Sequence, residues 1–200
     1  ENSGAITSTG EEWTSGGIAG QVCYTNISDY KNKGIIVGNR DAGGIVGYSQ
    51  HCTISRCDNE GEVTGNVHTG GIVAFNDSEL TISNCINKGA VESENNNVSG
   101  ILGMSFMDYN ETMTIEDSKN EGSIRGNESV SGIIGYCTEY VSNAKIILSG
   151  CANKGNINGM EDIGGIFGHL EINQNPINIT LSNCQNQGEI VGEKNNVGGL

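Results

Sequence analysis

Proline, aromatic residues and basic residues are scarce in this 200-residue sequence. Proline occurs once, at Pro176, and aromatic residues make up 5 % of the chain. Apolar residues supply 35 %, too little for a thick globular core, whereas glycine supplies 31 residues. Ile and Val nevertheless recur at regular spacing, which a disordered chain would not show. A thin core built from stacked repeats fits both observations.

The shortage of bases also limits the partners. Only 10 Lys and Arg residues stand against 24 acids, and the formal net charge is −14. Without a basic stripe to neutralise phosphates, a nucleic acid is not expected as a partner. No apolar run approaches the roughly 18 residues that cross a bilayer, so membrane insertion is not expected. The first residues carry no signal-peptide pattern.

The seven cysteines lack the paired spacing of zinc ribbons, and their odd number argues against a disulfide framework. Four of them, Cys57, Cys85, Cys151 and Cys184, occupy one position of a repeat. This position predicts buried thiols that pack side by side. A single disulfide between Cys57 and Cys85 stays open as an alternative, since adjacent repeats would bring them close together.

The repeat begins with Gly-Gly-Ile-aliphatic-Gly and continues, after a loop, with Thr-Ile-Ser-x-Cys-x-Asn-x-Gly-x-(Ile/Val)-x-Gly. It recurs six times in coils of 27–34 residues, and a seventh coil opens near residue 198. The six coils begin near residues 16, 43, 70, 99, 131 and 164. Residues 1–200 are therefore predicted to form one solenoid. Because both ends cut a coil, we expect the chain to be an excised part of a longer array.

The coils favour strands over helices. Short β-branched runs such as Thr53-Ile54-Ser55 alternate with Gly and Asn, and no stretch of helical period lacks glycines, which cost about 1 kcal/mol each in a helix. In the second coil, Ile45, Ile54 and Val63 mark three short strands. The prediction is an all-β fold, a parallel β-helix with three strands per coil. Its winding is predicted to be right-handed from the rule for parallel crossovers.

Asparagine forms the most regular column of the repeat. Its members are Asn32, Asn59, Asn87, Asn120, Asn153 and Asn186. An amide carries both a donor and an acceptor, so these side chains are predicted to form a structural ladder along the rod. The glycine two residues after each Asn, such as Gly61, is predicted to have a positive φ.

At this point the sequence resembles a known family. Gly-Gly-Ile-Val-Gly at 43–47 and Ile-Ser-Arg-Cys-Asp-Asn-Glu-Gly-Glu-Val-Thr-Gly at 54–65 are similar to the GLUG-type repeats of bacterial surface proteins. Such repeats occur in adhesins and in non-catalytic regions of IgA-specific metallopeptidases. The resemblance implies an extracellular or cell-surface parent protein, whose catalytic residues, if it has any, lie outside this chain.

The motifs for catalysis and for metals are missing from the sequence. His-Glu-x-x-His is absent, and His51, His68 and His169 fall on different coils, which indicates ordinary loop or surface histidines. The three arginines fall in different columns, with no convergent set of acids and a base. No catalytic residue, metal ligand or cofactor is therefore predicted. Calcium is the alternative cofactor, since several loop carboxylates such as Asp41 and Asp162 are hard oxygen donors.

The connection between the first two strands grows along the chain, with 4, 4, 5, 9, 10 and 10 residues in successive coils. Long loops on one side of a rigid scaffold commonly carry binding sites. The predicted ligand-binding residues are Phe106, Asp108, Tyr109, Tyr136, Glu139, Tyr140 and His169. A separate column consists of Gln21, Tyr48, Phe75, Met104, Tyr136 and His169. We interpret it as a packing column, with sugar binding as the alternative.

These observations predict a non-catalytic structural or adhesive module, whose partners are a host glycan or glycoprotein and the neighbouring repeats of the parent protein. Two alternatives stay open. A carbohydrate-active β-helix enzyme would need a groove with convergent acids and a base. An accessory domain could instead present substrate to a peptidase elsewhere in the same polypeptide.

Overall fold

The fold is a β-solenoid in which all strands are parallel. The computed structural model describes residues 1–10, 13–108, 110–139, 143–172 and 177–200. In these ranges the regular secondary structure is entirely β-strand, arranged in five stacked sheets. Successive strands join the five sheets in a fixed order, so one circuit of the five is one coil. The predicted all-β solenoid of about six coils is thereby confirmed, whereas its right-handed winding stays a prediction.

We number the sheets I to V in the order in which the chain visits them. Sheet I contains β1 (Ile6–Ser8), β6 (Ile36–Gly38), β11 (Val63–Gly65), β16 (Val91–Ser93), β21 (Ile124–Arg125), β26 (Ile157–Gly159) and β31 (Ile190–Gly192). Sheet II contains β2 (Thr14–Gly16), β7 (Asp41–Gly43), β12 (His68–Gly70), β17 (Asn96–Ser99), β22 (Glu128–Ser131), β27 (Glu161–Gly164) and β32 (Val197–Gly198). Sheet III contains β3 (Ala19–Cys23), β8 (Val46–Gln50), β13 (Val73–Asp77), β18 (Leu102–Met107), β23 (Ile134–Glu139) and β28 (Phe167–Ile172).

The last two sheets complete the coil. Sheet IV contains β4 (Asn26–Ser28), β9 (Cys52–Ser55), β14 (Leu80–Ser83), β19 (Thr112–Glu116), β24 (Lys145–Ser149) and β29 (Asn178–Ser182). Sheet V contains β5 (Lys31–Asn32), β10 (Asp58–Asn59), β15 (Ile86–Asn87), β20 (Lys119–Asn120), β25 (Ala152–Asn153) and β30 (Gln185–Asn186).

Each coil thus has five short strands, and the predicted number of three is wrong. The predicted first strand splits because the chain turns at its glycine pair. A Cβ at Gly43 would lie 1.9 Å from the carbonyl oxygen of Val46, so the bend needs a residue without a side chain. Ile45 lies in this corner and is fully buried. The second additional strand is the Asn column, which pairs as sheet V.

Equivalent residues of successive coils lie side by side. Ile54 pairs with Ile82, Val63 with Val91, and Asn59 with Asn87. The repeat spacing read from the sequence therefore matches the register of the sheets, even where the coils differ in length. The extra residues of the later coils lie between sheets III and IV. Part of this added length extends the strands of sheet III, which have five residues in Val73–Asp77 and six in Leu102–Met107.

The core has two parts. The larger lies between sheets III and IV and includes Ile45, Ile54 and Leu102, which are fully buried. The smaller lies between sheets I and II and includes Ile36 and Val98. The Asn ladder lies in the interior with both, and its amides pack against the second glycine of each Gly-Gly pair. A Cβ at Gly44 would come within 2.4 Å of the Asn59 side chain, so this glycine makes room for the ladder.

The ladder is continuous through the rod. Asn59 donates from Nδ2 to Oδ1 of Asn87 at 2.8 Å and to the carbonyl of Gly61 at 2.8 Å. Asn87 repeats both bonds with Asn120 and Gly89. Each buried amide of the ladder therefore donates hydrogen bonds both to the next Asn and to the Gly carbonyl of its own turn.

The prediction of a positive φ after each Asn is wrong. In the described residues the only glycine with a left-handed φ is Gly150. The glycine two residues after each Asn is needed for a different reason, because coils approach closely there. A Cβ at Gly61 would lie 2.0 Å from the carbonyl oxygen of Gly34 in the preceding coil.

The predicted column of buried thiols is confirmed for three of its four cysteines. All seven cysteines are free, and Cys57, Cys85 and Cys151 are fully buried, while Cys184 in the last complete coil is half-buried. Burial raises the pKa of the Cys151 thiol to about 12. No helix long and apolar enough to cross a membrane occurs in the described ranges.

Candidate functional site

The outward face of sheet III carries a line of large side chains. Tyr48, Phe75, Met104, Tyr136 and His169 pair in register from coil to coil. All five are half-buried, so one side of each meets solvent. They point outward because side chains alternate along a strand, and the residues that follow them, such as Ser105 and Cys137, are buried. We call these five residues the aromatic strip.

Ring contacts order the strip. The Tyr48 and Phe75 centroids lie 5.6 Å apart with a tilt of 50°, and those of Tyr136 and His169 lie 5.3 Å apart. His68, from sheet II, stacks on Phe75 at 5.0 Å and 20°. Neighbouring rings at these separations gain from packing and hold each other in place. The strip is therefore a preformed apolar surface.

Carboxylates border the strip on one side. Tyr48 donates its hydroxyl to Oδ2 of Asp77 at 2.9 Å, and Tyr136 donates its hydroxyl to Oε2 of Glu171. In both cases the acid belongs to the next coil and lies two residues beyond the strip residue of that coil. Burial, together with the Asp77 carboxylate, raises the pKa of Tyr48 to about 12. The phenol therefore stays protonated and oriented at neutral pH.

Histidine–aspartate pairs border the other side. His169 Nδ1 lies 2.7 Å from Asp162 Oδ2, and Asn196 donates to the second oxygen of Asp162 at 2.7 Å. Burial disfavours the Asp162 carboxylate, but the bonds from Asn196 and His169 outweigh it and lower its pKa. Nδ1 faces the carboxylate, and Nε2 of His169 has no hydrogen-bond partner among the described residues.

The second pair corrects an expectation. His68 Nδ1 lies 2.8 Å from Asp41 Oδ1, and both side chains are buried. The sequence indicated that His68 is a loop or surface histidine, and its burial shows that this expectation is wrong. The carboxylate gives the imidazole a buried partner, which explains how it packs beneath Phe75.

The predicted ligand-binding residues divide into three groups. Tyr136 and His169 belong to the aromatic strip, and Phe106 lies beside it in the column that also contains Asp77 and Glu171. Asp108 is exposed in the turn after β18, where its backbone N–H donates to Oε2 of Glu111 at 2.7 Å. Tyr109, Tyr140 and the side chain of Glu139 lie outside the described residues.

Four polar residues of this face were not predicted to belong to a ligand-binding site, although Asp162 was a candidate calcium ligand. They are Asp77, Asp162, Glu171 and Asn196. Asp77 and Glu171 could have been found from the sequence. Each lies two residues after a member of the aromatic strip and therefore on the same face of the strand. Asp162 and Asn196 come from strand ends of two coils and carry no common signal.

A Ser–His–Glu group at the edge of sheet III has the wrong order for a hydrolase. Ser78 Oγ lies 2.9 Å from Nδ1 of His51 and donates to Oε1 of Glu111 at 2.6 Å. The serine is buried and stands in the middle, so its proton is directed to the carboxylate and not to the imidazole. The group is a bridge between three coils, extended by Tyr24, which stacks on His51 at 4.6 Å.

A groove of about 590 Å³ lies on the outer face of sheet I, the face that points away from the smaller core. Glu92, Glu94, Arg125 and Glu193 line it, together with Asn158. Acidic side chains and one arginine therefore line the same surface, and no hydrogen bond or ion pair joins them among the described residues. Within the described ranges, no group of three or more His, Cys, Asp or Glu side chains could hold a metal ion. Calcium binding stays an untested alternative.

The fold defines the class, a parallel β-solenoid built from sequence repeats. No protein-family model and no curated protein match the chain. A solved structure with a similar fold is a putative immunoglobulin A1 protease from Bacteroides ovatus, with a TM-score of 0.53 and 21 % identity. The match covers 84 % of this chain and 49 % of that one, so this chain corresponds to about half of that structure. At this identity the likeness establishes the fold, and the GLUG-type repeats stay a resemblance.

Proposed function

We propose that this chain is a non-catalytic, glycan-binding repeat module of a bacterial protein that acts outside the cell. The observation that carries the proposal is the aromatic strip. Its side chains form a continuous, half-buried apolar line, with Asp77 and Glu171 on one border and the His169–Asp162 pair on the other. Sugar rings present apolar faces to aromatic rings and hydroxyls to polar groups, so this combination suits a saccharide.

The rigidity of the scaffold supports a binding role. Sheet III is paired strand by strand, and Tyr48 and Tyr136 are each fixed by a carboxylate of the next coil. A surface that is ordered before the ligand arrives loses little entropy on binding. A repeated surface can also hold several units of a polymer at once.

The arrangement of the titratable groups supports a role without catalysis. His51 faces a serine whose proton is committed elsewhere, and His68 is buried against Asp41. His169 faces Asp162 in a geometry that could orient a general base, but its ring neighbour is Tyr136, whose hydroxyl already donates to Glu171. Such groups orient one another, and among the described residues they leave no activated nucleophile beside the imidazole.

An extracellular setting is part of the proposal. It draws on the resemblance to repeats of bacterial surface proteins and on the bacterial origin of the structure with a similar fold. That structure is named for immunoglobulin A1, a glycoprotein, which makes this glycoprotein a reasonable first ligand to test.

The test is a glycan array probed with the purified chain, followed by calorimetric titration of the best neutral glycan. Tyr136→Ala should weaken binding by about fivefold or more, because one stacking contact contributes about 1 kcal/mol. Tyr30→Ala is the matched control, since Tyr30 is 44 % exposed and lies outside the strip. It should leave the affinity unchanged.

Two results would contradict the proposal. One is equal affinity of wild type and Tyr136→Ala for every glycan that binds. The other is cleavage of a bound glycan or of immunoglobulin A1 by the purified chain, detected by mass spectrometry of the products. Cleavage that His169→Ala abolishes would favour the carbohydrate-active or peptidase alternative instead.

A further inference from the structure

The groove on sheet I is separate from the aromatic strip and does not depend on the proposed function. It extends from Thr64 on β11 to Glu193 after β31. These strands are four coil steps apart, so the groove is about 19 Å long at the usual spacing between strands. Its direction along the rod suits an extended chain molecule.

The one cation among the residues that line the groove, Arg125, has no partner in the described part of the chain. Arg125 is the register partner of Glu92 in sheet I, yet its guanidinium makes no hydrogen bond or ion pair with any residue that the structure describes. The other two arginines are paired with carboxylates. Arg56 forms two bonds of 2.7 Å with Asp29, and Arg40 lies 3.8 Å from Asp41. The guanidinium of Arg125 is thus available for a planar, bidentate acceptor.

The surrounding groups define what else the ligand carries. Three glutamates, Glu92, Glu94 and Glu193, line the same groove and disfavour additional negative charge. Asn158, Asn127 and the carboxylates are instead suited to bind hydroxyl and amide groups. A ligand with one carboxylate and many hydroxyls satisfies both conditions.

A peptide fits this surface less well. The strands from β6 through β26 are paired on both sides, and among the described residues only the terminal strand β31 leaves an edge open at this end of the sheet. A strand added there would run parallel to β31, across the groove and not along it. The lining residues include a single large apolar side chain, Met160, whereas a docked helix needs an apolar groove.

We propose that the sheet I groove binds a saccharide that carries a single carboxylate, and that Arg125 receives this carboxylate through a bidentate pair. The hydroxyl-rich remainder of the sugar lies along Asn158 and the glutamates. This site is distinct from the aromatic strip, which takes neutral sugar faces.

The test compares five probes by isothermal titration. They are xylotriose bearing one methylglucuronate, neutral xylotetraose and fully charged tetragalacturonate, with sialyllactose and lactose as a second matched pair. The singly charged member of each pair should bind at least about tenfold more tightly than its neutral counterpart, as charged hydrogen bonds of this kind predict. Tetragalacturonate should bind more weakly than the singly charged probe.

Arg125→Gln should remove the preference for the carboxylate. Its side chain is exposed, so the thermal midpoint should not change. Arg56→Gln, on another face, and Tyr136→Ala, in the strip, should both keep the preference, which separates this site from the proposed function. Replacing Glu92 and Glu94 by Gln should raise the affinity for tetragalacturonate.

Several results would overturn the proposal. They are the absence of binding by both carboxylated probes at millimolar concentration, equal affinity for charged and neutral members of a pair, or a preference that survives Arg125→Gln. Tighter binding of an acidic hexapeptide than of either carboxylated sugar would assign the groove to a protein partner instead.

Discussion

Replacement of Asn87 by Ala tests how the rod is held together. Asn87 is fully buried and takes part in three side-chain hydrogen bonds. It accepts from Asn59 at 2.8 Å and donates to Asn120 at 2.8 Å and to Gly89 at 2.9 Å. Alanine would remove one hydrogen-bond partner each from the side-chain amides of Asn59 and Asn120 and from the carbonyl of Gly89. At about 1 to 3 kcal/mol for each orphaned group, with water entering the vacated space, the loss should be about 3 to 5 kcal/mol.

The assay is equilibrium unfolding in guanidinium chloride, followed by circular dichroism. Repeat arrays can unfold in segments, so hydrogen exchange of the amides near Asn87 should accompany it. Asn158→Ala is the control, because that amide is exposed on sheet I, and it should change stability by less than about 0.5 kcal/mol. If Asn87→Ala unfolds at the wild-type midpoint, the ladder does not stabilise the rod and the reasoning is wrong.

Three further predictions concern other parts of the rod. Gly61→Ala should cost about 3 kcal/mol or more, since its Cβ would lie 2.0 Å from the oxygen of Gly34; a wild-type melting temperature would contradict this. The hydrogen bonds from Arg56 lower the pKa of Asp29 from 3.8 to about 2, so the stabilisation is present above pH 4 or so and is lost as the pH falls through about 2. Arg56→Gln should return that pKa toward 3.8 in an NMR titration, and an unchanged value would refute the pairing. Iodoacetamide should label the exposed Cys23 before any other thiol, and two or more native disulfides in non-reducing mass spectrometry would disprove the free-thiol column.

The sequence predicted the class of fold because each coil repeats the same physical requirements. Every coil needs a buried aliphatic residue, an Asn that bonds to the Asn of the next coil, and a glycine where two coils approach closely. All three recur at fixed positions of the sequence repeat. The number of strands did not follow, because a turn inside Gly43-Gly44-Ile45 and a two-residue strand at Asp58–Asn59 are too short to show a period. The glycine φ angles also failed, since close approach between coils is a property of the stacked structure.

The candidate site was only partly predictable. Tyr136 and His169 were found because aromatics are rare in this chain, and they share a column. Their polar partners were missed, since Asp162 and Asn196 meet only when two coils stack. The groove lined by Glu92, Glu94 and Arg125 was missed for a related reason. Glu92 and Arg125 lie on neighbouring strands of sheet I and Glu94 follows β16, so the groove forms only when coils stack and no single repeat contains it.

The most direct test of the central proposal is to map a neutral glycan onto the chain by NMR. A neutral ligand avoids the carboxylate preference that we infer for the sheet I groove. Addition of the glycan to isotope-labelled protein should shift the amide signals of Tyr136, His169 and their neighbours on sheet III, in a dose-dependent way that Tyr136→Ala weakens. Shifts confined to sheet I, or to the turns between sheets IV and V, would contradict the account.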